Sequence, residues 1–298
     1  MKPFRFLTTL SVSALLFSCS TGNGDYDATG SFEATEIIVS SQANGRILTL
    51  SLNEGDQLQQ GQTVGVIDST QLYLQKMSLL SNARGVRAQQ PDIRKQTASI
   101  QEQIRTLERE KARAQRLLES NAASQKQLDD IEAQIEVLQK QLLALISTLE
   151  KNSENISAQS STLEIQVAQL DDQLEKTQII SPIAGTVLNR YAEAGELATM
   201  GTPLFKIADT DILFLRAYVT NDQLAQIKLN NEVTVKVDDG QGGMKPYKGR
   251  ISWISDKSEF TPKTIQTKNE RANRVYALKI AVPNDGFLKI GMYGEVKF

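Results

Sequence analysis

Two stretches, NGRILTLSLNEGDQLQQGQTVGVID at Asn44–Asp68 and SPIAGTVLNRYAEAGELATMGTPLFKIAD at Ser181–Asp209, carry one skeleton at a constant offset of 140 residues. Gly45, Gly55, Gly61 and Val64 in the first stand at the same spacings as Gly185, Gly195, Gly201 and Leu204 in the second. Ile47 likewise matches Val187, Asp56 matches Glu196 and Ile67 matches Ile207. Short alternating apolar stretches broken by Gly and small polar residues predict strands and tight turns, so each copy is a half-sheet of a few strands. A half-sheet of this size cannot bury a core alone. The two copies must therefore pack on each other, which brings Ser69 and Thr177 together and makes the intervening chain rise from one point on a small β-sandwich.

That intervening chain has the opposite character. Of 18 Gly and 7 Pro, none falls within residues 92–181, and a mixture of loops and strands would not omit its turn residues for so long. Apolar residues recur every seven positions: Leu128, Ile135, Leu142, Leu149, Ile156, Leu163 and Leu170, with a companion row of Ile131, Leu138, Leu145, Asn152, Gln159 and Gln166. A matching row, Leu72, Leu79, Val86, Ile93, Ile100, Leu107 and Ala114, precedes it. This spacing predicts a coiled coil. Residues 71–120 hold ten basic and five acidic side chains, whereas residues 121–178 hold four and ten. Opposite arms attract, so an antiparallel hairpin within one chain is expected, with its turn at Ser120–Ser124 and Ser124 capping the second helix. At a rise of 1.5 Å per residue, each arm of about 50 residues would reach roughly 75 Å. Arms that are merely the solvated flanks of a coiled coil between chains remain the alternative, because exposed ion pairs are individually weak. Pro91 suits a first helical turn better than an interior and can split the first arm. The polar row Asn152, Gln159 and Gln166 should weaken the core near the hairpin base and give it hinge-like play.

The ends and the composition narrow the function. Lys2 and Arg5 precede a largely apolar run, Phe6–Phe17, and then Ser18 and Cys19, the only cysteine. A positive start, an apolar run too short to span a bilayer and a small residue before Cys predict a bacterial lipoprotein signal over residues 1–18, with lipid on Cys19 and a flexible tether over residues 19–30. Several acyl chains would hold the protein firmly on a membrane without a transmembrane helix. The chain has 298 residues, 33 basic and 35 acidic, and no histidine. This excludes Ser-His and Cys-His nucleophile pairs, His-ligated zinc, a four-thiolate metal site and an internal disulfide. The lack of a basic surplus argues against nucleic-acid binding. No phosphate-cradling Gly-rich loop with Lys is present, so any energy source must come from a partner. No catalytic residue, metal or cofactor is expected.

Beyond Asp209 the sequence turns to strand-like segments at Leu213–Val219, Glu232–Val237, Tyr247–Ser255, Val275–Val282 and Met292–Phe298, with turn signals between them. They predict a small antiparallel β-barrel, joined by an early strand around Phe32–Ile38. The loop Asp239–Gly243 offers only two adjacent carboxylates at the wrong spacing for calcium, and reads as a hairpin turn.

Taken together, the paired half-motifs resemble the lipoyl-like domain of periplasmic adaptor proteins, also called membrane fusion proteins or the HlyD-like family. The resemblance covers nearly all of residues 31–298. It implies a mixed α and β fold: an elongated multidomain adaptor with a split lipoyl-like (barrel-sandwich) domain at 31–70 and 179–210, a long antiparallel α-helical coiled-coil hairpin at 71–178 and a small antiparallel β-barrel at 211–298. The first strand would be shared between sandwich and barrel. True lipoyl and biotinyl domains carry a modified Lys on a tight hairpin, which the coiled coil replaces here, so carrier chemistry is not implied. The predicted tip, RAQRLLESNAAS, resembles the motif by which such adaptors dock onto TolC-like outer-membrane channels. In this chain its residues are Arg113, Leu117 and Ser124: Arg to reach carbonyls or carboxylates, Leu for a small apolar contact, Ser to close the turn. Each also has a purely structural reading, as a solvated flank, hairpin core and helix cap.

The resemblance further implies a homo-oligomer, with six copies expected, that links an inner-membrane transporter to the outer-membrane channel. The segment Glu259–Arg271, EFTPKTIQTKNER, resembles one found in adaptors of ABC-type exporters, and RND-pump adaptors usually carry a further domain after the barrel. An ABC permease and ATPase are therefore the expected partners. An RND-pump adaptor and a structural coiled-coil envelope lipoprotein with no transport role stay open. The family location is the periplasmic face of the inner membrane, while Ser20 after the lipidated Cys would direct sorting to the outer membrane under enterobacterial rules.

Overall fold

The structure, a computed structural model, describes residues 26–120, 122–260 and 274–298. The expected signal over residues 1–18, Cys19, most of the expected tether and nearly all of the segment Glu259–Arg271 lie outside the described residues. In chain order the elements are β1 (Ala28–Ser40), β2 (Gly45–Leu50), β3 (Gln57–Leu58), β4 (Thr63–Ile67), α1 (Thr70–Arg87), α2 (Ile93–Glu119), α3 (Gln125–Glu175), β5 (Gln178–Ile180), β6 (Gly185–Arg190), β7 (Leu197–Ala198), β8 (Pro203–Val219), α4 (Asn221–Leu224), β9 (Glu232–Asp238), β10 (Met244–Phe260), β11 (Arg274–Pro283) and β12 (Tyr293–Lys297). They fall into two compact units: Ile37–Ile207, and residues 26–36 with Ala208–Phe298.

In the first unit the sequence repeat becomes a reciprocal exchange of backbone hydrogen bonds. Gly55 N–H donates to Val187 C=O while Gly195 N–H donates to Ile47 C=O, at 2.8 and 2.7 Å. Val187 N–H donates to Asp56 C=O while Ile47 N–H donates to Glu196 C=O. Gly61 and Ser181 answer Gly201 and Ser41 in the same way. Each half thus supplies the partners that the other half's turns and strand edges require, which is why neither can stand alone. The turns are copies as well: Gly55 and Gly195 lie at φ 92° and 97°, Gly61 and Gly201 at 79° and 89°, the left-handed region that only Gly enters without strain. Ser41 and Ser181 are both buried and donate to the carbonyls of Ala43 and Ile183. Between the halves lies one core that includes Ile47, Leu52, Ile67, Val187, Leu204, Phe205 and Ile207.

In the second unit β1, β12, β9, β10, β11 and β8 follow one another as neighbours, and a further pairing of β1 with β8 closes them into a barrel. Every registered pair is antiparallel. Alternation along β8 sends Leu213, Leu215, Ala217 and Val219 inward, against Phe32, Val235, Ile251, Leu278 and Ile280. Closure needs small residues where backbones approach: a Cβ at Gly30 would meet the Arg216 carbonyl oxygen at 2.1 Å, which no side chain could survive. Strand β1 begins at Ala28, so the tether expected over residues 19–30 ends earlier than its sequence suggested. Pairing of Ala28 and Thr29 with Val296 and Glu295 overrides their loop-like composition. In the β9–β10 loop, Asp239 Oδ1 accepts from the backbone N–H groups of Gln241 and Gly243. These bonds hold its carboxyl below the usual carboxylate range.

Helices α1, α2 and α3 form the antiparallel hairpin within one chain, and the opposite charge of its arms is realised as contacts across it: Lys76–Asp171 at 2.5 Å, Lys111–Glu132 at 2.9 Å and Arg87–Glu164. Pro91 does split the first arm, but from outside the helix. Asp92 is the N-cap of α2, its side chain accepting from Lys95 N–H at 3.1 Å. The expected seam needs a larger correction. Leu128, Ile135, Leu149 and Ile156 are buried as the heptads required, yet Asn152, Gln159 and Gln166 are exposed. The companion row moves one residue along α3, from Ile131, Leu138 and Leu145 to Ile146, Ser153, Ser160, Val167 and Leu174. A straight helix drifts by about 20° per heptad relative to a strict seven-residue repeat, so four heptads amount to nearly one residue step of 100°.

Candidate docking tip of the helical hairpin

Between the end of α2 at Glu119 and the start of α3 at Gln125 the chain reverses direction. Ser120 Oγ donates to the Leu117 carbonyl at 2.8 Å, and Ala122 N–H donates to the same oxygen at 2.8 Å. This satisfies a carbonyl that the helix end would otherwise leave open, and it fixes the backbone at Leu117. On the far side Ser124, extended at φ −96° and ψ 148°, caps α3; its Oγ accepts from Gln127 N–H at 3.4 Å, a long bond for a cap. Gln125 Nε2 donates to Asp129 Oδ1 at 2.8 Å over the next turn.

The two adjacent leucines part company here. Leu118 is half-buried, joining the hairpin interior with Ala114 and Leu128, whereas Leu117 points out and is 43% exposed. Arg113 lies four residues earlier, hence on the same helix face as Leu117; it is exposed, and among the described residues no carboxylate pairs with it. Ser124 is exposed and spends its side chain on the cap. The fold thus brings Leu117 and Ser124 to the two sides of one turn, with Arg113 a helical turn behind. Cys19, expected from the sequence to carry lipid, lies outside the described residues. The double acceptance at the Leu117 carbonyl was not read from sequence, although Ser three residues after Leu is the pattern that could have suggested it.

At the other end the hairpin is tied to the sandwich. Ile67 N–H donates to Thr177 C=O at 2.9 Å, which joins the start of the first arm to the end of the second. Ser69 is the N-cap of α1 but its side chain makes no cap bond; instead Asp68 Oδ1 accepts from Thr70 N–H at 3.0 Å, and that bond holds the Asp68 carboxyl below the usual range. No helix among the described residues is long and apolar enough to cross a membrane.

Comparison with known proteins fits this geometry. The UPF0194 membrane protein of Yersinia pseudotuberculosis serotype O:3 (strain YPIII) is 29% identical over 290-odd aligned positions, 291 in all, covering 90% of this chain and 88% of its own. Among solved structures, MacA from Actinobacillus actinomycetemcomitans superposes with a TM-score of 0.55 at 21% identity, covering 91% of this chain and 76% of its own. The membrane fusion protein Spr0693 from Streptococcus pneumoniae R6 superposes at 0.50 and 19% identity, with 90% and 97% covered. At these identities the two structures speak for the fold. The family model for the RND MFP barrel-sandwich hybrid domain matches residues 35–210, which is more than half of the chain and takes in both half-motifs and the whole hairpin between them. The chain therefore belongs to the membrane fusion protein family of periplasmic adaptors.

Proposed function

We propose that this adaptor links an inner-membrane transporter of the ABC type to a TolC-like outer-membrane channel, with Arg113, Leu117 and Ser124 forming the surface that meets the channel. The observation that carries the reading is the outward Leu117: an apolar side chain held in water at the turn of a hairpin, beside a leucine that is turned in. Its exposure makes it available for a partner, and Arg113, which pairs with no carboxylate among the described residues, adds a cationic donor on the same face. Lipid on Cys19 anchors the chain at the periplasmic face of the inner membrane, six copies surround the export path, and the subunit has no enzymatic role of its own. The ABC partner rests on the resemblance of Glu259–Arg271. An RND pump is the second reading, favoured by the description of the matching family as an RND membrane fusion protein.

The test is affinity capture of the lipidated protein from crosslinked membranes, with partners identified by mass spectrometry. An ABC permease and ATPase together with a TolC-like channel are expected. Recovery of an RND pump selects the second reading, and no transporter at all leaves a structural lipoprotein. Leu117→Asp and Ser124→Arg should each abolish crosslinking to the channel while transporter capture persists. Unchanged channel crosslinking would overturn the role assigned to the tip.

A further inference from the structure

The arm nearest the sandwich is closed differently from the rest of the hairpin. Of the 18 residues of α1 only Ala83 is fully buried, and the last fully buried residue of α3 is Ser160. Ser160 is polar, and Arg87 at the end of α1 donates to it through Nε at 2.9 Å while donating to Glu164 Oε1 through Nη2. Gln90 Nε2 donates to Ser153 Oγ at 3.0 Å just beyond. Tyr73, Leu74 and Met77 on the same helix stay exposed.

The two helices of the first arm are also terminated independently. Ala88 N–H donates to Arg84 C=O to close α1, turn bonds from Gln89 and Gln90 follow, and α2 restarts on its own cap at Asp92. Pro91 has no N–H to contribute. No i−4 helical hydrogen bond crosses residues 89–91, so a change of angle there costs only the turn bonds of Gln89 and Gln90 and the Gln90–Ser153 contact. Register shifts at the same place: from Arg87–Ser160 to Lys111–Glu132 the first arm advances 24 residues while the second retreats 28. Four residues of helix, about 6 Å of rise, are taken up in the non-helical link.

We propose that α1 is a separately releasing segment, clasped to α3 by Arg87 on Ser160 and Glu164, whose undocking lets the distal hairpin pivot about residues 88–92 on α3 alone. Gly85 sits near the end of α1 with nothing within 4 Å of a would-be Cβ; it lowers the helix's own stability without any packing reason to be there. The apolar α2–α3 seam stays zipped during release, so the tip keeps its shape while its angle changes.

Amide hydrogen exchange on the full-length protein tests this. Amides of residues 83–87 should exchange at least about tenfold faster than those of residues 104–114. Arg87→Ala should speed the α1 amides by a further factor of about five without altering residues 104–114. Gly85→Ala, which fits without a clash, should slow the α1 amides by about threefold. Equal exchange in the two segments of the wild type, or a change on Arg87→Ala that is shared equally by both, would overturn the release segment. No change at all in α1 on Arg87→Ala would overturn the clasp.

Discussion

Between Ile104 and Leu149 the arms of the hairpin meet through Ile104, Ala114, Leu128, Ile135 and Leu149, all buried. Between Leu72 and Leu174 they meet through half-buried leucines, one buried alanine, and the polar contacts of Ser160, Arg87, Glu164, Lys76 and Asp171. Burying a Leu or Ile side chain contributes about 1.5–3 kcal/mol, while an exposed ion pair contributes about 0–1 kcal/mol. One coiled coil thus contains a firmly closed distal half, which carries the residues proposed for docking, and a lightly closed proximal half. Coiled-coil periodicity in a sequence does not imply uniform stability along it.

The contrast is most easily broken by truncation. Ile135→Ala should lower stability by about 3 kcal/mol, as core truncations do, and Leu79→Ala in the proximal half by only about 1 kcal/mol. Urea midpoints read by circular dichroism decide between them, and equal losses would show the two halves to be alike. Next come the caps. Asp92→Ala should cost about 1 kcal/mol, more than Ser124→Ala, whose bond to Gln127 N–H is longer; the reverse order would place the weaker junction at the tip. Salt should discriminate more gently. At 1 M NaCl, where the screening length is about 3 Å, exchange of α1 amides should rise while that of residues 104–114 is unchanged, because among the described residues two of the three ion pairs across the arms involve α1.

The smallest effect lies outside the hairpin and sets the scale for an exposed polar clamp. Lys245 donates to Asp285 at 2.6 Å in the barrel, lying against the rings of Tyr247 and Phe287. This lysine, with Phe287 N–H, holds the Asp285 carboxyl down at about 2. A depressed carboxyl stabilises the fold above its unfolded value of 3.8 and loses that contribution as pH falls through about 2. The melting temperatures of wild type and Asp285→Asn should therefore differ at neutral pH and converge in strong acid. A gap that persists at the lowest pH would mean that the clamp does not act through charge.

Much of this was legible in the residues. The offset-140 repeat was visible because Gly55, Gly61, Gly195 and Gly201 are demanded by backbone conformation, and such demands leave fixed spacings. The Leu128 row was visible because large aliphatic residues repeat. Its counterpart in the first arm was only half seen. The more buried row there includes Ala83, Thr97 and Ile104, where small and polar residues hide the pattern. The companion row past Leu145 was misread because a strict heptad was extended over a helix that keeps closer to its natural pitch.

The sequence by itself determined that two β half-motifs enclose a charged helical hairpin, because glycine spacing, heptad spacing and net charge are properties of the chain that need no partner. Which of Leu117 and Leu118 faces out, how the two halves exchange hydrogen bonds, and where Arg87 finds Ser160 were decided only by the tertiary structure. Those outcomes depend on the helix phase that accumulates over dozens of residues, and on contacts between segments more than 70 positions apart, where small local differences in pitch and linker length fix which side chains meet.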